Sequence, residues 1–502
     1  MVLDATKARG ALTGARYIKS LRDGREVWLD GATVDVTTHP AFAGVLGEPA
    51  RLYDLQHDDE HRDRLTYIAP ESDTRRSIAY LTPTTPEELG ARRAGAELWF
   101  EESFGQMSHL PVATADLVLG LYDARDLLGG AGTRFAANAE RYFRYAAEHD
   151  LWVTHGYGDP QRDGSGLPIE DPGRGVRVVE ERGEGIVVRG VVRMAGPAAI
   201  AHELIVHPTV PLASPAQEDE QQIAWFAVPM AAGGVKVLCR LPDPTGGNRS
   251  AFAGRFDEPD ALVILDDVLV PWERVFLLHD AERSRRLLHE RIRPWLLYTT
   301  QVRFLARVQT FIGLATMVAE ANGVEPVRGV RDKLGELITY GEMVRVTLRG
   351  IEHNATRTPS GLICPSQAIG PAIFSAQFTE RVVEILRDLG GTGLIMQPSE
   401  GDLASPELRP YLDRYLNGTK LDTARTARLL RLAWGLVGDS TGARQELHER
   451  WLRGDIVQLR NELFAAYDRS EIVGRIREMV TKPLPIPEGG WVPYQRWTTS
   501  NE

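Results

Sequence analysis

The chain has 502 residues, 43% hydrophobic and 25% charged, with a formal net charge of -11. That length allows several packed layers or domains with large cores, and the acidic balance argues against nucleic acid as a partner, because phosphate recognition needs a basic face. The two cysteines, Cys239 and Cys364, are far apart in the chain, which argues against a disulfide framework and a thiolate-held iron–sulfur cluster. Residues 1-150 read mainly as helix. "TPEELGARRAGAELWFEESFG" opens on Thr85-Pro86 as cap and first-turn residue, and carries Leu89, Ala96, Trp99 and Phe100 at near-helical spacing. "PVATADLVLGLYDARDLL" and "FAANAERYFRYAAEHDLW" continue the pattern.

Residues 151-280 change period. "GVRVVEERGEGIVVRGVVRMAG", "AHELIVHP", "QIAWFAVPM", "GVKVLCRL" and "ALVILDDVLVPWERVF" are short, β-branched or aromatic, and separated by turns. They predict a small antiparallel barrel or sandwich. Residues 281-502 return to long amphipathic helices, four of which suggest a bundle. This order lacks βαβ alternation, which disfavours a Rossmann sheet or a TIM barrel. The run "RSRRLLHERIR" (283–293) is mixed in character and reads as a solvated face or subunit contact. The N-terminus has no apolar signal-peptide core, and no window approaches about 18 uninterrupted apolar residues, so the expected location is cytoplasmic with no membrane partner.

Several short motifs carry chemistry on paper. "HDDEH" (57–61) matches an inverted zinc-protease pattern, with His57 and His61 as ligands and Glu60 as base. Its surroundings lack an apolar stripe to anchor a helix, so a charged loop is the better reading. "GDSTG" (438–442) matches a nucleophile elbow around Ser440, but a helix precedes it where a strand is needed. It reads as a helix end whose Ser440 and Thr441 can bond backbone or a ligand phosphate. "LGGTGLIMQP" (389–398) reads as a helix stop followed by a loop. In "DLWVTHGYGDPQRDGSG" (150–166), His155 stands at the junction of the helical and β regions, where ligand clefts form. The glycine-bearing loop after it would let backbone approach a flat cofactor.

"GARYIKSLRDGREVWLDG", "LYDLQHD", "LTYIAPESD", "FDEPDALVILDDVLVPWERVF", "GTGLIMQPSEGDL" and "LAWGLVGDSTGARQELHERWLRGD" occur in this order. In these segments the chain resembles the large, flavin-using component of the 4-hydroxyphenylacetate 3-monooxygenase family. The resemblance implies an acyl-CoA-dehydrogenase-like α+β fold, mostly α: an N-terminal helical domain, a central antiparallel β-barrel domain and a C-terminal four-helix bundle, as a homotetramer. It implies FAD delivered as FADH2 by a separate flavin reductase. The flavin would react with O2 to give a C4a-hydroperoxide that hydroxylates an aromatic ring. A related reading keeps the flavin and fold but substitutes dehydrogenation, dehydration or cyclisation. A cluster-bearing dehydratase of similar fold needs cysteines on the helix after Gly105, and this chain has none there.

Residue by residue, the resemblance makes His155 a catalytic, substrate-binding and flavin-side histidine. It puts Gln161, Asp163 and Gly164 on the flavin, with Asp159 where the family has Asn. The family's Arg and Tyr, four apart beside Pro111, fall on His109 and Ala113. If the helix extends back that far, both face the site. The exchange replaces a permanent cation by a titratable group and a phenol by open space. Gly196 stands where a flavin-contacting threonine is expected, and Ser440, Thr441 and Arg444 are further cofactor-side candidates. A small aromatic molecule other than 4-hydroxyphenylacetate, in natural-product biosynthesis, is the implied substrate.

Overall fold

The computed structural model describes residues 10–129, 134–157, 175–208, 223–241 and 251–481. The chain begins with α1 (Gly14–Ser20), strands β1 (Glu26–Leu29) and β2 (Ala32–Thr33), α2 (Ala43–Leu55), α3 (Arg62–Leu65), and a hairpin of β3 (Thr66–Ile68) and β4 (Arg75–Ser77). Then come α4 (Pro86–Glu102), α5 (Pro111–Asp123), α6 (Arg125–Leu128) and α7 (Phe135–His149). Local chemistry sets these starts. The Thr85 hydroxyl accepts from the Glu88 N–H while the Glu88 carboxylate accepts from the Thr85 N–H, a reciprocal cap. Pro111 occupies the first helical position of α5, where its missing N–H has no intrahelical partner to lose.

The middle of the chain supplies β5 (Val153–Tyr157), β6 (Arg177–Glu181), β7 (Gly185–Val192), β8 (Glu203–His207), β9 (Ala224–Pro229), β10 (Val235–Cys239), α8 (Ala251–Phe256), β11 (Ala261–Pro271) and β12 (Val275–Leu278). They do not close into the expected barrel. Among the described residues they form two open sheets, ordered β2-β1-β10-β11-β7-β6 and β12-β9-β8-β5. Nor is the pairing purely antiparallel. β1 runs parallel to β10 and β5 runs parallel to β8, because each pair is joined by a long excursion rather than a hairpin. β1 enters the sheet from the first 30 residues, a pairing the middle segment alone could not reveal.

After α9 (Ala281–Arg286) and a π-helical turn (Leu287–Ile292) come α10 (Arg293–Ala321), α11 (Arg328–His353), a β13–β14 pair (Thr356–Arg357 and Ile363–Cys364), α12 (Ile369–Gly390), α13 (Glu400–Ala404), α14 (Arg409–Tyr415), α15 (Thr423–Val437) and α16 (Ser440–Trp451). The last long helix expected from the sequence is two helices. α15 ends at Gly438, and the Asp439 carboxylate caps α16 by accepting from the Gly442 N–H at 2.7 Å.

α10 is the central element. α11, α12 and α15 pack on it from the C-terminal side, and α4 and α5 from the N-terminal side. The described residues through Gly454 therefore make one compact unit, and those from Asp455 make a second, holding α17 (Ile456–Ala466) and α18 (Ser470–Thr481). The continuous helical stretch Ala281–Ala321 is long and apolar enough to cross a membrane, yet 67% of its most apolar window is buried inside the fold. It also carries two buried arginines, Arg303 and Arg307.

Those arginines meet α16. Arg303 lies 2.6 Å from the Glu449 carboxylate and Arg453 lies 3.3 Å from it, with Arg307 at 3.8 Å. Arg303 also donates to the Gly105 carbonyl and Arg307 to the Gln106 side chain. One buried carboxylate thus answers three buried guanidinium groups. Burial opposes its charge, but the three arginines hold Glu449 well below the usual carboxylate range. Removing that charge strands the cations. Glu449→Gln is expected to lose about 3–5 kcal/mol of stability, read as a lowered midpoint of chemical denaturation.

Candidate active site

His155 lies on β5, the edge strand of the four-stranded sheet. The parallel register sets His155 opposite Ile205 and Tyr157 opposite His207. Residues two apart share a face, so His155, Tyr157 and His207 line one surface. The His207 ring lies 5.6 Å from that of His155 and stacks on Trp225 of β9 at 4.5 Å. Burial, then the neighbouring His207 and His109, hold the His155 imidazole well below its ordinary value of 6.5. Burial likewise pushes His207 down to about 4.

The turn before α5 brings His109 to within 6.4 Å of His155, ring to ring. His109 precedes the helix, which starts at Pro111. The helical-face argument linking His109 to Ala113 therefore fails, because the proline-led start leaves His109 outside the 3.6-residue period. Ala113 sits in the first turn of α5, half-buried against the core. Trp152 Nε1–H donates to the His109 carbonyl at 2.7 Å and so ties the β5 lead-in to this turn.

Behind His109 is a fully buried carboxylate, Glu258, in the segment between α8 and β11. It accepts from the His109 backbone N–H at 2.9 Å and the Ser108 hydroxyl at 2.8 Å, and lies 3.4 Å from His109 Nδ1. From α16, Arg444 reaches the same carboxylate at 3.4 Å and donates to Asp260. Burial works against the charge of Glu258, but His109, Arg444 and His448 hold it well below 4.5. His448, also on α16, lies 2.8 Å from the Ser108 hydroxyl, and burial, then Arg444 and His109, push it down to about 3.

His109, Glu258 and His448 could in principle hold a metal ion. However, the Ser108 oxygen already sits among all three, at 3.3, 2.8 and 2.8 Å, and Arg444 supplies the balancing charge. The group is a hydrogen-bonded hub.

The structure brings His155, His109 and Gly196 together. A Cβ on Gly196 would stand 3.5 Å from the His109 ring and 3.0 Å from Asp260 Oδ1. Thr441 lies in the first turn of α16 with its hydroxyl buried and without a hydrogen-bond partner, and Ser440 is exposed at the helix start. Arg444 spends its donors on Asp260, Glu258 and Gln445. Gln161, Asp163 and Gly164 lie outside the described residues.

The motif readings also resolve. His57 and His61 fall in turns between α2 and α3, and His57 Nε2 contacts the Leu12 carbonyl at 3.1 Å, so they share no helix face. Ser440 follows a helix and cannot form a strand-led elbow. Sequence reasoning missed His207, Glu258 and His448. The available signal for Glu258 and Asp260 was two carboxylates flanking a proline just before the apolar run 261–265 that opens β11.

Comparison with known proteins agrees with this layout. Residues 13–277 match the profile described as "4-hydroxyphenylacetate 3-hydroxylase N terminal" and residues 287–481 the corresponding C-terminal profile. The chain belongs to the 4-hydroxyphenylacetate 3-hydroxylase family. It is 35% identical to the 4-hydroxyphenylacetate 3-monooxygenase oxygenase component of Thermus thermophilus, over 95% of this chain and 99% of that one. It is 30% identical to the pyoverdin chromophore biosynthetic protein PvcC of Pseudomonas aeruginosa, over 96% and 98%. A crystal structure of the oxygenase component (HpaB) of 4-hydroxyphenylacetate 3-monooxygenase, complexed with FAD and 4-hydroxyphenylacetate, superposes with a TM-score of 0.87 at 34% identity, over 94% and 98%.

The buried imidazoles have a consequence for stability. His155, His202, His207 and His448 all bind protons more weakly folded than unfolded, chiefly through burial. Their contribution is complete above the unfolded value of 6.5 and is lost as pH falls below it, toward the folded values of about 3 to 4. The urea midpoint is expected to fall markedly between about pH 7.5 and pH 5. A flat midpoint over that range would contradict these assignments.

Proposed function

We propose that this chain is the oxygenase component of a two-component, FAD-dependent monooxygenase that hydroxylates an aromatic substrate other than 4-hydroxyphenylacetate. The observation that carries the reading is the convergence of His155 and His109, 6.4 Å apart, within a family-wide match over nearly the whole chain. A flavin fits the residues present. The unpartnered Thr441 hydroxyl at the start of α16 suits an anionic or polar cofactor group. When bound, reduced FAD supplies the oxygen-activating chemistry, and a separate reductase supplies it in that state.

The protein's own task is to bind the phenolic or heteroaromatic ring, exclude water, and accept a hydrogen bond from its hydroxyl group at His155. Burial keeps that imidazole neutral near pH 7, with a nitrogen lone pair free to accept. Charge at the site argues against 4-hydroxyphenylacetate. The imidazole of His109 faces Glu258, and the nearby cation Arg444 is taken up by Asp260 and Glu258. Among the described residues, a substrate carboxylate beside His109 would meet the buried Glu258 and the half-buried Asp260, with Arg444 already paired to both. The likeness to a pyoverdin chromophore biosynthetic protein supports a role in natural-product biosynthesis. Self-association as a homotetramer is supported by the exposed apolar side chains of α18, among them Ile476, Met479 and Val480. A cytoplasmic location suits a partnership with a soluble reductase.

The test supplies FADH2 from any flavin reductase under 18O2 with a panel of phenols, with and without a carboxylate side chain. Incorporation of one labelled oxygen into a carboxylate-free phenol, with 4-hydroxyphenylacetate left unconverted, is the expected result. His155→Ala should divert most of the oxygen to hydrogen peroxide, lowering coupling on the order of 100-fold. Peroxide as sole product with every phenol would overturn the reading.

A further inference from the structure

The row His155–His207–Pro208 contains a proton-direction argument. The Pro208 carbonyl can only accept a hydrogen bond, and it lies 3.3 Å from His207 Nδ1. His207 Nδ1 must therefore carry a proton and donate. A neutral imidazole protonated at Nδ1 has a bare Nε2. That Nε2 lies 3.4 Å from His155 Nδ1. The contact is a hydrogen bond only when His155 in turn carries its proton on Nδ1, which leaves His155 Nε2 bare.

Ring geometry supports this chain. The His155 and His207 planes are within 18° and their centroids are 5.6 Å apart. That separation exceeds the 3.4 Å nitrogen–nitrogen distance by about one ring diameter. The rings therefore meet edge to edge, with the donor in the plane of the acceptor's lone pair. Trp225 stacks under His207 at 4.5 Å and 16°, and Trp225 Nε1–H is itself held by the Ser284 hydroxyl at 2.8 Å. His207 is fully buried, so its orientation is set by the fold.

We infer that His207 is a positioning residue that locks His155 into the Nδ1–H tautomer and so presents His155 Nε2 to the substrate as a hydrogen-bond acceptor. The group recognised there is then a donor, a neutral hydroxyl or an aromatic N–H, and not a preformed phenolate. Both imidazoles are held neutral near pH 7, chiefly by burial, as the chain of single protons requires. The statement about the substrate rests on the proposed function; the statement about the tautomer does not.

The test is 15N NMR of protein labelled at histidine, at about pH 8, with the two residues assigned from His155→Ala and His207→Phe spectra. Pyrrole-type Nδ1 and pyridine-type Nε2 signals are expected for His155. His207→Phe keeps a ring against Trp225 but removes the acceptor, and should release His155 to a mixture of tautomers. His207→Gln returns an acceptor and should restore the Nδ1–H form. With a phenol identified as substrate, His207→Phe should raise KM about tenfold, the loss of one hydrogen bond. A wild-type spectrum with His155 protonated on Nε2, which needs no variant to fold, would overturn the inference. So would a tautomer unchanged in a folded His207→Phe protein. A native Nδ1–H signal without any hydroxylase activity would instead retain the tautomer and sink the functional reading.

Discussion

The site depends on one buried carboxylate. Glu258 is reached by the backbone and hydroxyl of the turn before α5, by the imidazole of His109, and by Arg444 from α16. With Glu258 itself, these groups come from three parts of the chain separated by more than a hundred residues each. An ionised carboxylate in the interior is tolerated only when its lone pairs are met and its charge is balanced. The need to satisfy Glu258 is therefore what draws the helical N-terminal region, the segment before β11 and the C-terminal helices onto one point.

A second buried cluster fixes the far side of α16. Glu449 lies one residue beyond His448 and is held by Arg303 and Arg307 of α10 and by Arg453. α16 is thereby pinned along its length, with Arg444 and His448 aimed at Glu258 and the next residue aimed at α10. The arrangement stabilises a position more than it contributes energy, since buried ion pairs rarely exceed an apolar replacement in strength. Its value lies in keeping the hub beside His109 in place.

Between His109 and His155 the polarity differs from what a permanent cation would provide. Two imidazoles face each other, one backed by a carboxylate and the other by a second imidazole. An imidazole donates or accepts a single proton according to its tautomer, whereas a guanidinium can only donate.

Much of this was legible beforehand. Capped and proline-led helix starts at Thr85 and Pro111, the shift to short β-branched runs after residue 150, and the histidine at the helix–strand junction are local signals, decided by backbone chemistry within a few residues. So was the family likeness, which spans ordered short motifs. Tertiary structure alone decided the rest. β1 joins a sheet two hundred residues away, the expected barrel is two open sheets, and the helix at α5 starts too late to carry His109. His207 reads in sequence as one more strand residue, and Glu258 as one more acid beside a proline. Their importance arises from register and burial, which depend on partners distant in the chain, and no local pattern of residue types encodes which distant group will meet a buried proton or charge.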